Sequence, residues 1–253
     1  SSTSGAMTLT QDVFYNNQAA TASVLYCGGG TPSALGNSIL WGNTGSPIAA
    51  DPACEPSASY NIIQGGAAGA GNQNVDPLFV DPATGDFHLQ VGSPAIDAGS
   101  NLAPGLTALT TDWDGHPRYK DLTVRVDAGI DFPPIIDLGL YEYNSSPVAG
   151  TINLNGVEDT TLSFATRDFT SAFTDGDTGD TIQSIQVLSL PPHGSLGMIN
   201  QLGVIAGQII PANELHLLVF TPDANWNGTT SFGYTASDGL VNSASAQINL
   251  TLA

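Results

Sequence analysis

The residues most able to do chemistry here are carboxylates. Asp175, Asp177 and Asp180 sit in the run Asp-Gly-Asp-Thr-Gly-Asp. That run offers several hard oxygens within one flexible loop. Calcium takes six to eight such oxygens, and intervening glycines let a loop wrap around the ion. The bidentate glutamate that would close an EF-hand at loop position 12 is missing, so the expected ion is calcium in another loop geometry. Nucleophile chemistry has no comparable start. His88, His116, His193 and His216 are scattered without a paired spacing, and no GxSxG, HExxH or phosphate-loop pattern occurs. The run Gly28-Gly29-Gly30 lacks the lysine and helix that a phosphate cradle needs.

Composition narrows the partners. The 253 residues carry 23 acidic and 4 basic side chains, a formal charge of −19. A nucleic-acid or polyanion site needs a basic patch, and Arg118, Lys120, Arg125 and Arg167 cannot build one. Nucleic-acid partners are therefore excluded. No apolar run reaches the ~20 residues of a membrane-spanning helix. Few titratable groups and much Gly, Ser, Thr and Asn point to an exported protein, secreted or at the cell surface. In that setting Cys27 and Cys54 are expected to form a disulfide.

The elements that must position these groups are strands. Short alternating stretches such as Gln247-Ile248-Asn249-Leu250-Thr251-Leu252 dominate, and 29 Gly and 16 Pro interrupt every apolar run. The chain is expected to be all-β. The polar seam Asn144-Ser145-Ser146-Pro147 separates two grammars, which places domains at 1–145 and 146–253. Before it, short apolar stretches end in Asn or Gly at a spacing of about 22–26 residues, as in Ser38-Ile39-Leu40-Trp41-Gly42-Asn43 and Tyr60-Asn61-Ile62-Ile63-Gln64-Gly65. That period suits one coil of a solenoid.

The stretches Asp76-Pro77-Leu78-Phe79-Val80-Asp81-Pro82, Gly92-Ser93-Pro94-Ala95-Ile96-Asp97-Ala98-Gly99 and Asp112-Trp113-Asp114-Gly115-His116-Pro117-Arg118, closing on Asp137-Leu138-Gly139-Leu140-Tyr141-Glu142, carry a resemblance. They are similar to the closing region of bacterial right-handed parallel β-helix surface proteins of the choice-of-anchor type, which share the pectate-lyase-like fold. The likeness spans roughly 35–143 and implies a short right-handed parallel β-helix with a cap. After the seam, Phe173-Thr174-Asp175-Gly176-Asp177, Leu190-Pro191-Pro192-His193-Gly194 and Phe232-Gly233-Tyr234-Thr235-Ala236-Ser237-Asp238-Gly239 resemble one bacterial cadherin-like repeat. That resemblance implies an Ig-like β-sandwich with calcium, and adds Glu158, Asp159 and Asp238 to the expected ligands.

A pectate-lyase-like fold also raises a polysaccharide lyase or glycosidase. Its carboxylates would be Asp112, Asp114, Asp127 and Asp137, with Arg118, Lys120 and Arg125 as nearby bases. Their place in the closing segment favours a structural role instead, with Asp97, Asp112 and Asp137 satisfying turn backbones and pairing with Arg118. Trp41, Trp113 and Trp226 are expected to be buried or half-buried in their motifs, leaving little for glycan contact. No capping helix precedes the first strand, and bare strand edges recruit other strands. Met7 and Leu9 at the front, and Ile248, Leu250 and Leu252 at the back, are the expected assembly residues. Copies of the chain would then join head to tail into a non-enzymatic fibre, sheath or surface layer. The alternative is a monomeric calcium-binding adhesin stalk with a cell-surface or glycan ligand.

Overall fold

The structure is a computed structural model that describes residues 7–20, 22–27, 33–199 and 203–253. The glycine run at 28–30 lies outside the described residues. The chain divides into two compact units, Ser1–Tyr143 and Asn144–Ala253. Both are built from strands, and the one α-helix among the described residues, α1, spans only Thr166–Thr170. No helix of the described residues is long and apolar enough to cross a membrane.

The first unit opens with β1 (Thr8–Thr10), β2 (Val13–Tyr15), β3 (Leu25–Cys27), β4 (Ala34–Gly36), β5 (Ile39–Trp41), β6 (Ile48–Ala50), β7 (Ser57–Ser59) and β8 (Ile62–Ile63). They form three parallel ladders, β1-β4-β7, β2-β5-β8 and β3-β6. Hydrogen bonds between equivalent positions in successive layers join residues 26 and then 23 apart. In-register stacking places like on like: Val13 on Ile39 on Ile62, Phe14 on Leu40 on Ile63, and Leu9 on Leu35 on Ala58. Ile39, Leu40, Ile62 and Ile63 are fully buried. Ile39 and Ile62 enter one core cluster and Leu40 and Ile63 another, so this ladder is stabilised by burial on both its faces.

The corners explain why so few residues make so sharp a path. Gln11, Asn37 and Tyr60 each follow the last residue of β1, β4 and β7, and all three hold positive φ, at 64°, 50° and 55°. Asn37 makes that geometry tolerable by bonding both ways with the Ser100 backbone, through Nδ2 to the carbonyl and through Oδ1 from the amide. Asn61, fully buried, likewise donates to the Leu35 and Ser59 carbonyls and accepts from Ser38 N–H. Cys27 and Cys54 are joined by a disulfide with Cα atoms 5.8 Å apart.

An antiparallel pair, β9 (Phe79–Asp81) and β10 (Asp86–Leu89), follows. From there to the end of the unit the described residues contain bridges, turns and one short 3-10 helix at Leu106–Ala108, but no further strand. This closing segment still buries Ala95, Ile96, Ala98, Leu122 and Leu138 against Ile39 and Ile62.

The second unit comprises β11 (Val148–Ala149), β12 (Ile152–Gly156), β13 (Leu162–Ser163), β14 (Phe173–Thr174), β15 (Ser184–Val187), β16 (Gly194–Met198), β17 (Ile209–Pro211), β18 (Leu218–Pro222), β19 (Gly228–Ser237) and β20 (Ala246–Leu252). A five-stranded sheet runs β12-β20-β19-β15-β17, and a three-stranded sheet runs β13-β18-β16. Between them sit Phe164, Phe169, Phe220, Phe232 and Tyr234, with Ile185, Ile248 and Leu250. Alternation along β20 points every second residue into this core.

That position corrects one expectation. β20 pairs in parallel with β12 on one side and antiparallel with β19 on the other. Ile248, Leu250 and Leu252 are at most 2% exposed. The C-terminal strand therefore has no free edge, and its aliphatics serve the core rather than assembly. At the front, Met7 is exposed and Leu9 half-buried, on the outermost strand of its ladder.

Candidate functional site

Three of the six expected calcium ligands converge. Asp175 and Asp180 flank the acidic loop after β14, and Asp238 follows the end of β19. One carboxylate oxygen from each lies within 4.8 Å of the other two. Two oxygens bound to one calcium at about 2.3–2.6 Å can stand no more than about 5 Å apart, so this spacing fits a shared ion. Asp175 Oδ1 accepts from Ser145 Oγ at 3.0 Å and from Asp177 N–H at 3.1 Å, while its Oδ2 is sealed from solvent without a hydrogen-bond partner. Asp238 Oδ1 takes the Leu240 and Val241 amides, and Oδ2 takes Asn144 Nδ2 at 2.8 Å.

The other three expected ligands are placed differently. Asp177 turns inward, 5% exposed, and its Oδ2 holds the Ser145 amide at 2.7 Å and hydroxyl at 2.9 Å. Glu158 and Asp159 lie at the far end of the sandwich. Glu158 N–H donates to the Ala253 carbonyl, and Asp159 Oδ1 caps the Asn225 amide at 2.7 Å. These groups adjoin the Gly228 end of β19, whereas Asp238 adjoins the Ser237 end. A 10-residue strand is about 33 Å long. Glu158 and Asp159 cannot share an ion with Asp238, and the expected set contracts accordingly.

The carboxylates of the first unit form a buried centre around Arg118. Its guanidinium, 3% exposed, donates to Gln11 Oε1 and to the carbonyls of Thr111, Gly139 and Leu140. Its ion pair is with Glu142 at 3.6 Å. The sequence pointed to Asp97, Asp112 and Asp137 as its partners. Those three hold backbone amides, the other half of that expectation. Asp112 takes Asp114, His116 and Glu142 N–H, and Asp137 takes Asp97 and Tyr143 N–H. Burial is the main force on the protonation of Asp137, Glu142 and Asp97. It raises Asp137 to about 8 and Glu142 well above its ordinary value, and the nearby Arg118 charge only partly offsets this. Burial likewise raises Asp97 to about 7, reinforced by the charges of Asp121 and Asp127.

A second grouping was not visible in the sequence. His88 on β10 contacts Asp86 at 2.6 Å and Asp114 at 2.8 Å, and stacks on Tyr141 with ring centroids 3.9 Å apart. Burial pulls the imidazole down, but the two carboxylates outweigh it and leave the pKa raised. The alternation of His88 with apolar neighbours gave no hint of this, because Asp114 arrives from a turn 26 residues away. Trp113 is a further correction. It stands 74% exposed, because the Asp112 carboxylate pins the turn from inside and leaves the indole outward. Trp41 and Trp226 are half-buried, the latter stacked on His193. Of the bases a lyase would draw on, Arg118 and Lys120 are both buried.

No curated protein matches the chain. The family comparison bears on the second unit and does not extend to the closing-region likeness at 35–143. Residues 144–251, a five- and a three-stranded sheet around an aromatic core, match the bacterial Ig domain.

Proposed function

We propose that this chain is a non-enzymatic structural protein of a bacterial surface or extracellular fibre, and that its first unit is a short right-handed parallel β-helix accepting strands from another copy. One observation carries the reading: β1, β2 and β3 are each outermost in their ladders, with no strand on the outer side among the described residues. An exposed row of amides and carbonyls is a template for strand addition. A head-to-tail contact of this kind does not close on itself and propagates as a filament. With β20 enclosed, the strands of the second unit with an edge to offer include β12 and β17, outermost in the five-stranded sheet, and β13 and β16, outermost in the three-stranded one. The bacterial Ig match supports the setting, since such domains are common in surface and extracellular proteins.

Negative-stain microscopy and sedimentation over a range of concentrations test this. Uniform filaments, with mass rising with concentration, are the expected result. A monomer at every concentration would overturn the assembly reading. It would favour the second one, a monomeric stalk stiffened by calcium at Asp175, Asp180 and Asp238, for which the convergence of those three carboxylates speaks. Melting of the second unit with calcium and with EGTA distinguishes that case.

A further inference from the structure

The first unit holds a second gathering of carboxylates, independent of the reading above. Asp97, Asp121 and Asp127 each place one oxygen within 4.8 Å of the other two. Asp97 sits at a left-handed corner, φ 51°, and is 1% exposed. Its Oδ1 receives the Leu122 amide at a long 3.5 Å. Its Oδ2 is sealed from solvent and has no hydrogen-bond partner. A buried carboxylate oxygen left without a donor is costly, and the ordinary remedies are a proton, a donor or a cation. Asp121 and Asp127 are half-exposed, so the group opens on one side to water and ions.

We propose that Asp97, Asp121 and Asp127 form a binding site for a divalent cation, calcium by its hard all-oxygen donor set. The distances suit a shared ion as they do at Asp175, and the open side leaves room for the waters that complete a calcium shell. Arg125 is a positive charge close by, and its Nη1 donates to the Ser93 carbonyl at 2.6 Å. Burial is what chiefly disfavours the charged form of Asp97, and the charges of Asp121 and Asp127 add to it. An ion would also tie the 97 corner to the 121–127 segment, which otherwise meet through the Leu122 amide and the Ala128 and Gly129 amides on the Asp97 carbonyl.

Calcium titration calorimetry on the full chain tests the site, with magnesium as comparison. Asp97→Asn risks the fold, so the working variant is Asp121→Asn with Asp127→Asn, both half-exposed. A second double variant, Asp175→Asn with Asp238→Asn, isolates the other group. If the site is real, the first variant loses one bound calcium per chain, or weakens it by about tenfold or more, and the second variant retains it. Calcium should also raise the melting temperature of the first unit in the wild type and not in the first variant. Binding unchanged by Asp121→Asn and Asp127→Asn would overturn the proposal. So would a wild type that takes up no calcium outside the Asp175 group, which would leave a shared proton as the remedy for Asp97.

Discussion

Replacing Arg118 by methionine keeps most of the buried stem and removes the charge with all its donors. The side chain is 3% exposed and contacts Gln11, three backbone carbonyls and Glu142. Removing one partner of a buried ion pair costs about 3–5 kcal/mol, because the surviving charge stays uncompensated. A unit of this size, Ser1–Tyr143, has an unfolding entropy of about 0.3 kcal/mol/K. A loss of about 4 kcal/mol therefore lowers its melting temperature by about 13 °C. Such a loss is a large share of the whole stability of a domain, about 5–15 kcal/mol.

The pH dependence separates charge from packing. Asp137 and Glu142 hold protons in the folded state that they release on unfolding, since burial raises both. Stability from such groups is present in acid and is lost as pH rises through the folded values. Near pH 5 Asp137 is neutral with or without Arg118, and the variant loses chiefly the hydrogen bonds, about 1–3 kcal/mol. As pH rises past about 8 Asp137 ionises, the missing guanidinium is felt, and the gap widens. Scanning calorimetry of both proteins at pH 5 and pH 9 reads this directly. A gap that is equal at both values, or below about 1 kcal/mol at pH 9, would show that Arg118 does not neutralise these acids.

Three further outcomes follow from the geometry. Replacing Cys27 and Cys54 by serine opens a loop of 27-residue separation and should destabilise the first unit by about 3.5 kcal/mol, measured by chemical denaturation. Gly69→Ala sets a Cβ 1.7 Å from the Ala58 carbonyl oxygen at φ 139°, and should cost about 3 kcal/mol while leaving the second unit's melting unchanged. His88→Gln should cost about 0.5–1 kcal/mol at pH 5.5, since the raised imidazole stabilises below its unfolded pKa. That cost should fade as pH rises through the folded value, and equal costs at pH 5.5 and 8.5 would contradict the charged clasp.

The strand ladders were legible because their signal is local and repeated. Val13-Phe14-Tyr15, Ile39-Leu40-Trp41 and Ile62-Ile63 recur at similar spacings, and register follows once like stacks on like. The corners were legible only in part. Asn37 obeys the rule that Asn and Gly take left-handed angles, but Gln11 and Tyr60 hold the same angle at equivalent positions. There the stacked layers impose a conformation the residue would not choose, and no local pattern reports it. The acidic loop was legible in Asp175 and Asp180, which lie close in sequence. Sequence likeness misplaced Glu158 and Asp159, because it aligns motifs without saying which end of a strand they reach. Asp97 with Asp121 and Asp127 escaped for the same reason as His88 with Asp114: the partners meet only after the closing segment has folded.

That segment also explains why a chain with so few cations buries so many acids. After Leu89 the described residues of the first unit contain no strand, so their amides cannot be satisfied by ladders. Carboxylates take over that work in series. Glu142 accepts the Asp137 amide, Asp137 accepts those of Asp97 and Tyr143, and Asp97 accepts that of Leu122. Each acid thus fixes the backbone of the next, and Arg118 enters once, at the Glu142 end. At the other end of the series stands Asp97, with one oxygen committed to Leu122 and the other facing no donor. A series of acids neutralised at one end by a guanidinium needs a proton or a cation at the other, and Asp121 and Asp127 are the residues placed to bring one.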